Sequence, residues 1–348
     1  MTCRCKPDRT ILHNDRNNKH NDDELHRMKR RHLAAALATA PLFAACASRR
    51  QDVPEPPPRA GRLVDLGELA SANVKLLPRS VAVWLPPGYD RERSRRHRVL
   101  YMHDGQNLFD SRAAFGGVPW GVDEALAALI GLGEVRPTIV VAVGNTAQRW
   151  YEYAPEAALR ALPPDVRAAA DAEDPLAGAD LAADAYVRFL ADELKPQIDQ
   201  RFRTLTSRAD TAIMGSSMGG LASLYALCRR PEIFGGAGCM STHWPVTRIA
   251  GVHDNPAAPP MIALSAAVLG WFDANLPRAG AHRFYFDHGT QGLDRLYAPY
   301  QARMDAIGAG KGYVAGKDWL SKAAAGAEHD EAAWNARLPA ALGFMLKA

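Results

Sequence analysis

The chain has 348 residues, 47% of them hydrophobic and 23% charged, which is enough apolar material for one large α/β domain or two small ones. Its net charge of +4 lies in residues 1–45, where nine Lys/Arg face five Asp/Glu, leaving 33 of each sign in the remainder. A balanced body offers no basic excess for nucleic acid, and five cysteines with no metal-type spacing beyond Cys3-x-Cys5 argue against a cysteine-built metal centre.

Residues 1–27 are polar, charged and rich in Asn and His, and they form a polar N-terminal extension without the makings of a core. At Met28 the character changes: Lys29-Arg30-Arg31 precedes an apolar run from Leu33 to Ala45, closed by Cys46. Thirteen apolar or small residues are too few to span a bilayer but suit a signal-peptide core behind a basic head. Leu42-Phe43-Ala44-Ala45-Cys46 resembles a bacterial lipobox, with Phe43 where Leu is usual. Residues 28–46 are therefore expected to be a lipoprotein-type signal peptide, with Cys46 lipidated as the mature N-terminus. Arg30-Arg31 also fits twin-arginine export. An export signal works poorly behind a long charged tail, so translation is expected to start at Met28. The protein is then exported and held to a membrane by its lipid alone, facing the periplasm or cell exterior. Residues 47–61 are expected to be a stiff Pro-rich linker, and 62–348 the folded domain.

Within that domain Arg79–Tyr89 reads as a strand closed by a Pro-Gly turn, Arg98–His103 as a second, and Thr138–Val143 as a buried third. A helix is expected from Val122 to Leu132. Val187, Leu190, Leu194, Ile198 and Phe202 mark one face of a long helix interrupted at Pro196. Further strands are expected at Gly235–Met240 and Arg283–Phe286, with helices at Leu296–Ala306 and Glu331–Leu346. Strands alternating with helices predict a mostly parallel central sheet covered on both faces, an α/β fold. Two excursions, Pro155–Ala182 and Thr242–Ala281, are expected to wall the pocket. Cys228 and Cys239 read as small core residues.

Between strand and helix stands Gly215-Ser216-Ser217-Met218-Gly219. A strand, a tight Gly-x-Ser-x-Gly turn and a helix form the context of a nucleophile elbow, whose flanking positions must be small. The glycine frame selects Ser217 as the nucleophile and leaves Ser216 as its neighbour. A serine hydroxyl needs a base, and the α/β-hydrolase order is Ser, then Asp or Glu, then His. Among the downstream histidines only His329 precedes the final helix in the expected loop. The acid should follow the Arg283–Phe286 strand; Asp294, past the strand end, is favoured, with Asp287 as the alternative.

Taken together, His103-Asp-Gly-Gln-Asn-Leu-Phe109, Trp120-Gly-Val-Asp-Glu124, Arg149-Trp-Tyr-Glu-Tyr-Ala-Pro155, the elbow, Asp287-His-Gly-Thr290 and Gly326-Ala-Glu-His329 make the chain resemble one family. It is the esterase D/enterochelin esterase family of α/β-hydrolases, and the similarity spans residues 75–346. In relatives a motif like Asp287-His-Gly289 is followed by the catalytic Asp, which by that analogy is Asp294, at a spacing longer by about two residues. The resemblance implies an oxyanion hole from the main-chain N–H groups of Met218 and Gln106, and a pocket lined by Trp120, Arg149, Tyr151 and Trp244. It implies a serine carboxylic-ester hydrolase without metal or organic cofactor, acting on a small-molecule or glycan-linked ester. An acyltransferase on the same scaffold, or a catalytically silent lipoprotein that binds a glycan or siderophore, is the alternative.

Overall fold

Alternation of side chains along the strands builds two cores, one on each face of a single sheet. The computed structural model describes residues 60–173, 180–246 and 259–347. The expected extension, signal peptide, Cys46 and most of the linker lie outside the described residues.

Eight strands pair in the order β1-β2-β4-β3-β5-β6-β7-β8. They are β1 Arg62–Leu69, β2 Arg79–Leu85, β3 Arg98–His103, β4 Thr138–Val143, β5 Thr211–Ser216, β6 Gly236–Met240, β7 Arg283–Gly289 and β8 Trp319–Ala324. β2 is antiparallel to both neighbours, and every pair from β4 to β8 is parallel. Along β3, Val99 and Tyr101 point into the larger core while Leu100 and Met102 point into the smaller one. Helices α1 (Val122–Gly131) and α10 (Glu331–Leu346) cover the smaller core; Leu126, Leu129, Trp334 and Leu338 come from them. The long segment reads as α5 (Ala183–Arg188), a π-helical stretch (Phe189–Leu194) and α6 (Lys195–Arg201) on the larger core. Pro196 has no N–H to give to the preceding turn, and the helix widens just before it.

Two strands escaped the sequence reading. β8 (WLSKAA) is mostly half-exposed at the sheet edge, so no apolar run marks it. β1 carries Asp65 and Gly67 and shifts register between Asp65 and Glu68, which breaks the period-two pattern. The excursions contain α3 (Glu156–Arg160), α4 (Pro164–Glu173) and α8 (Pro259–Asn275), and α8 packs on both of the others. Cys228 and Cys239 are buried and free, and burial raises both thiols above their ordinary range.

Candidate active site

β5 ends at Ser216, and α7 (Met218–Arg229) begins two residues later, so Ser217 must turn the chain alone. It does so at φ 55°, ψ −123°, a conformation that L residues rarely adopt. Its N–H donates to Met240 O (2.8 Å), and its carbonyl accepts from His243 N (3.1 Å) and Leu221 N (3.2 Å). The surroundings thereby enforce a geometry that the residue alone would leave. A Cβ at Gly215 would stand 2.7 Å from the Gly219 backbone, so the turn closes only if that position is glycine.

The turn aims Ser217 at the loop after β8. Ser217 Oγ donates to His329 Nε2 at 3.0 Å, and His329 Nδ1 donates to Asp294 Oδ1 at 2.6 Å. The second Asp294 oxygen accepts from Ser241 Oγ (2.6 Å) and from the Gly289 N–H. Burial pushes the Asp294 carboxyl up, but His329 and these donors outweigh it and hold the group below the usual range. The imidazole lies between the rings of Trp334 and Tyr297, with centroids 5.0 and 5.7 Å away and both contacts edge-to-face.

Asp287, the alternative acid, faces elsewhere. It accepts from Tyr285 Oη (2.9 Å) and from Arg337 Nε (3.1 Å) and Nη2 (3.3 Å), beneath the site. Burial raises its pKa despite Arg337. Ser241 links the two carboxylates, because its Oγ also accepts from Arg337 Nη2 (2.8 Å) and Trp334 Nε1 (3.0 Å). No signal near Ser241 in the sequence marked this support.

A cavity of about 400 Å³ opens over Ser217. Gln106 lines it, and Met218, as the first residue of α7, has an N–H without an intrahelical acceptor. Gly105 keeps the Gln106 loop tight against β4, since a Cβ there would stand 2.7 Å from the Ala142 and Val143 backbone. Two loops are clamped together beside it. Asp104, at φ 54°, accepts from Arg149 Nε (2.7 Å) and Nη2 (2.8 Å) and from Asn145 Nδ2 (2.6 Å). Burial would raise Asp104, but the Arg149 charge and hydrogen bonds hold it down. Arg149 thus borders the cavity mainly as a strut. Replacing it with alanine should cost about 3 kcal/mol in urea unfolding, the low end for an orphaned buried charge because Asn145 remains.

The expected pocket lining needs correction. Trp120 is 1% exposed and packs on Trp334 in the smaller core, with ring centroids 5.7 Å apart. Trp244 is also 1% exposed and stacks on Phe286 in the larger core. Tyr151 packs half-buried against that core rather than on the cavity. An indole next to a motif reads the same in sequence whether it faces substrate or core. Among the described residues neither excursion lines this cavity; Phe115, Asn107, Asn145, Glu331 and Trp334 do so, and the sequence reading missed them. Phe115 is 76% exposed, an unusual setting for a phenyl ring.

Behind the elbow, burial lowers His103 to about 4, helped by the charges of Arg149 and Arg79 and opposed by Asp104. Its Nδ1 is 2.8 Å from Tyr186 Oη. The unfolded chain takes up this proton near pH 6.5, the folded one only near 4. Stability from this group is therefore complete above pH 6.5 and falls away towards pH 4, by about 3 kcal/mol. Urea midpoints measured between pH 7 and 4 should show the loss, and His103→Asn should flatten it.

Residues 77–267, more than half of the chain, match the family described as "Putative esterase". A 59-residue stretch is 41% identical to an endo-1,4-beta-xylanase/feruloyl esterase of Xylanibacter ruminicola; it covers 17% of this chain and 8% of that protein. In three dimensions the chain resembles a ferulic acid esterase, with TM-score 0.56 and 19% identity over 82% of this chain and 98% of the other. It also resembles the enterobactin esterase of Shigella flexneri solved with enterobactin, with TM-score 0.55 and 17% identity over 83% of this chain and 62% of the other. A ferulic acid esterase of Anaeromyces mucronatus gives TM-score 0.52 and 20% identity over 82% and 89%. Identities this low speak for the fold, and the family match carries the chemistry: the chain belongs to this esterase family and is a carboxylic ester hydrolase with the α/β-hydrolase fold.

Proposed function

We propose that the protein hydrolyses carboxylic esters through an acyl-enzyme on Ser217. The observation that carries this is the unbroken chain of hydrogen bonds Ser217–His329–Asp294, at 3.0 and 2.6 Å, on a serine held at φ 55°. His329 takes the Ser217 proton as the oxygen attacks the acyl carbon, then returns it to the departing alcohol. Asp294 orients the imidazole and balances its positive charge. Water, activated by the same His329, then attacks the acyl carbon, and the carboxylic acid leaves as Ser217 regains its proton. The N–H groups of Gln106 and Met218 hold the oxyanion, where each main-chain donor typically contributes about 2.7–4 kcal/mol to the transition state.

A cavity of about 400 Å³ suits a small-molecule ester or the ester-bearing end of a glycan, and Phe115 offers an aromatic face at its rim. The basic head, apolar run and Cys46 support export and lipid anchoring, for which Cys46→Ala should release the protein from membranes. A fluorophosphonate probe tests the central claim. Wild type should label and Ser217→Ala should not, and equally blank lanes would reject the serine mechanism. Acetyl, short-chain, feruloyl and siderophore esters, assayed side by side, then rank the acyl groups.

A further inference from the structure

A second and larger cavity, of about 580 Å³, lies at the opposite end of the sheet. It is built on the first residues of the central strands: Arg98 of β3, Thr211 of β5, Gly236 of β6 and Arg283 of β7. Ser217 follows the last residue of β5, so the length of that six-residue strand, about 20 Å, separates this cavity from the nucleophile.

The balanced total charge hides a local asymmetry here. Arg98, Arg136, Arg208, Arg283, Lys317 and Lys347 line the cavity against only Asp210 and Asp318. Both acids are already engaged. Asp210 accepts from Arg98 Nε (3.2 Å) and Ser207 Oγ (2.8 Å), and Asp318 accepts from Val314 N (2.6 Å). Two of the cations have a structural use, since Arg98 and Arg283 donate to the carbonyls of Lys347 (3.1 Å) and Phe344 (3.0 Å) at the C-terminal end of α10. Lys347 lies over the Phe344 ring. That use does not extend to Arg136, Arg208 and Lys317, which have no carboxylate partner among the described residues.

The cations also crowd one another. Burial and the charge of Arg98 lower Arg283 from its ordinary value, and burial and Arg208 lower His282. His282 is 8% exposed and lines the cavity; its Nε2 donates to Pro231 O (2.8 Å), and its Nδ1 has no hydrogen-bond partner among the described residues. Arg136, Arg208 and Lys317, beside Arg98 and Arg283 on one cavity, leave positive charge there that no carboxylate among the described residues balances.

We propose that this cavity binds a multivalent phosphate-type oxyanion, with Arg136, Arg208 and Lys317 as its principal ligands. Guanidinium groups suit such a ligand because their planar forks donate two parallel hydrogen bonds to its oxygens. The proposal is independent of the serine mechanism, whose residues lie at the other end of the sheet.

Full-length protein titrated with inorganic pyrophosphate at constant ionic strength should show a saturable rise in Tm beyond that given by sodium chloride. The double variant Arg136→Ala/Arg208→Ala should bind pyrophosphate at least tenfold more weakly, with Lys317→Ala intermediate. Basal ester hydrolysis should be unchanged in both, which also certifies their fold. An equal rise with sodium chloride, or a double variant that titrates like wild type, overturns the proposal. A second arm identifies the source of the phosphate, using Cys46→Ala protein so that no lipid anchor contributes. Sedimentation with phosphatidylglycerol but not phosphatidylcholine vesicles, lost in the double variant, assigns a lipid headgroup. Pyrophosphate binding without vesicle capture assigns a free anion, and failure of both rejects the site.

Discussion

Ser217→Ala is expected to lower kcat for any ester the enzyme turns over by roughly 10⁶-fold, the order seen when a serine nucleophile is removed from an intact site. The substitution deletes one oxygen and the hydrogen bond to His329 Nε2, and leaves Cβ, the elbow and the cavity as they are. KM should therefore change little, and the residual rate should reflect binding and the oxyanion donors alone. Stability separates this from a folding defect. Ser217 is held at φ 55°, ψ −123°, and alanine inherits that strain while glycine relieves it. Ser217→Gly should thus be equally inactive yet more stable, by about 1–3 kcal/mol in urea unfolding. An active Ser217→Gly protein would show that the nucleophile lies elsewhere.

The two buried aspartates should respond in opposite ways. Asp294→Asn is expected to reduce kcat by about 10⁴-fold, because an amide can present its N–H to His329 Nδ1 and trap the wrong tautomer. The residue is 0% exposed, and its neighbours Ser241 and Gly289 can still donate to the remaining carbonyl oxygen, so folding should survive. Asp287→Asn removes the carboxylate that pairs with Arg337 and leaves that guanidinium largely buried. The expected loss is about 3–5 kcal/mol of stability with kcat within several-fold of wild type. Measuring kcat and urea midpoints for both variants checks the assignment, and a larger kcat loss at Asp287 would reverse it. Ser241 joins the two carboxylates, so Arg337 variants should show a small share of both effects.

What the sequence determined by itself is what local rules control. Gly215 and Gly219 around Ser217, between an apolar strand and an apolar helix, define a turn whose geometry depends on a few adjacent residues. Chain order then pointed to His329 and favoured Asp294 with Asp287 left as the alternative, because the α/β-hydrolase order is Ser, then Asp or Glu, then His. The long buried strands and the final helix were legible through their apolar periodicity, whereas β1 and β8 were not, since edge strands bury too little to carry a pattern.

Tertiary structure decided everything that depends on which way a side chain points. It turned Asp287, near the end of β7, towards Arg337 and Asp294, just past that strand, towards His329. It sent Trp120 and Trp244 into the two cores and brought Phe115 and Glu331, far apart in sequence, to one cavity. It made Arg149 a clamp on Asp104 and gathered six cations from distant segments of a neutral body into the cavity at the far end of the sheet. These outcomes rest on contacts between residues tens to hundreds of positions apart. Burial and pairing, which no local pattern encodes, set them.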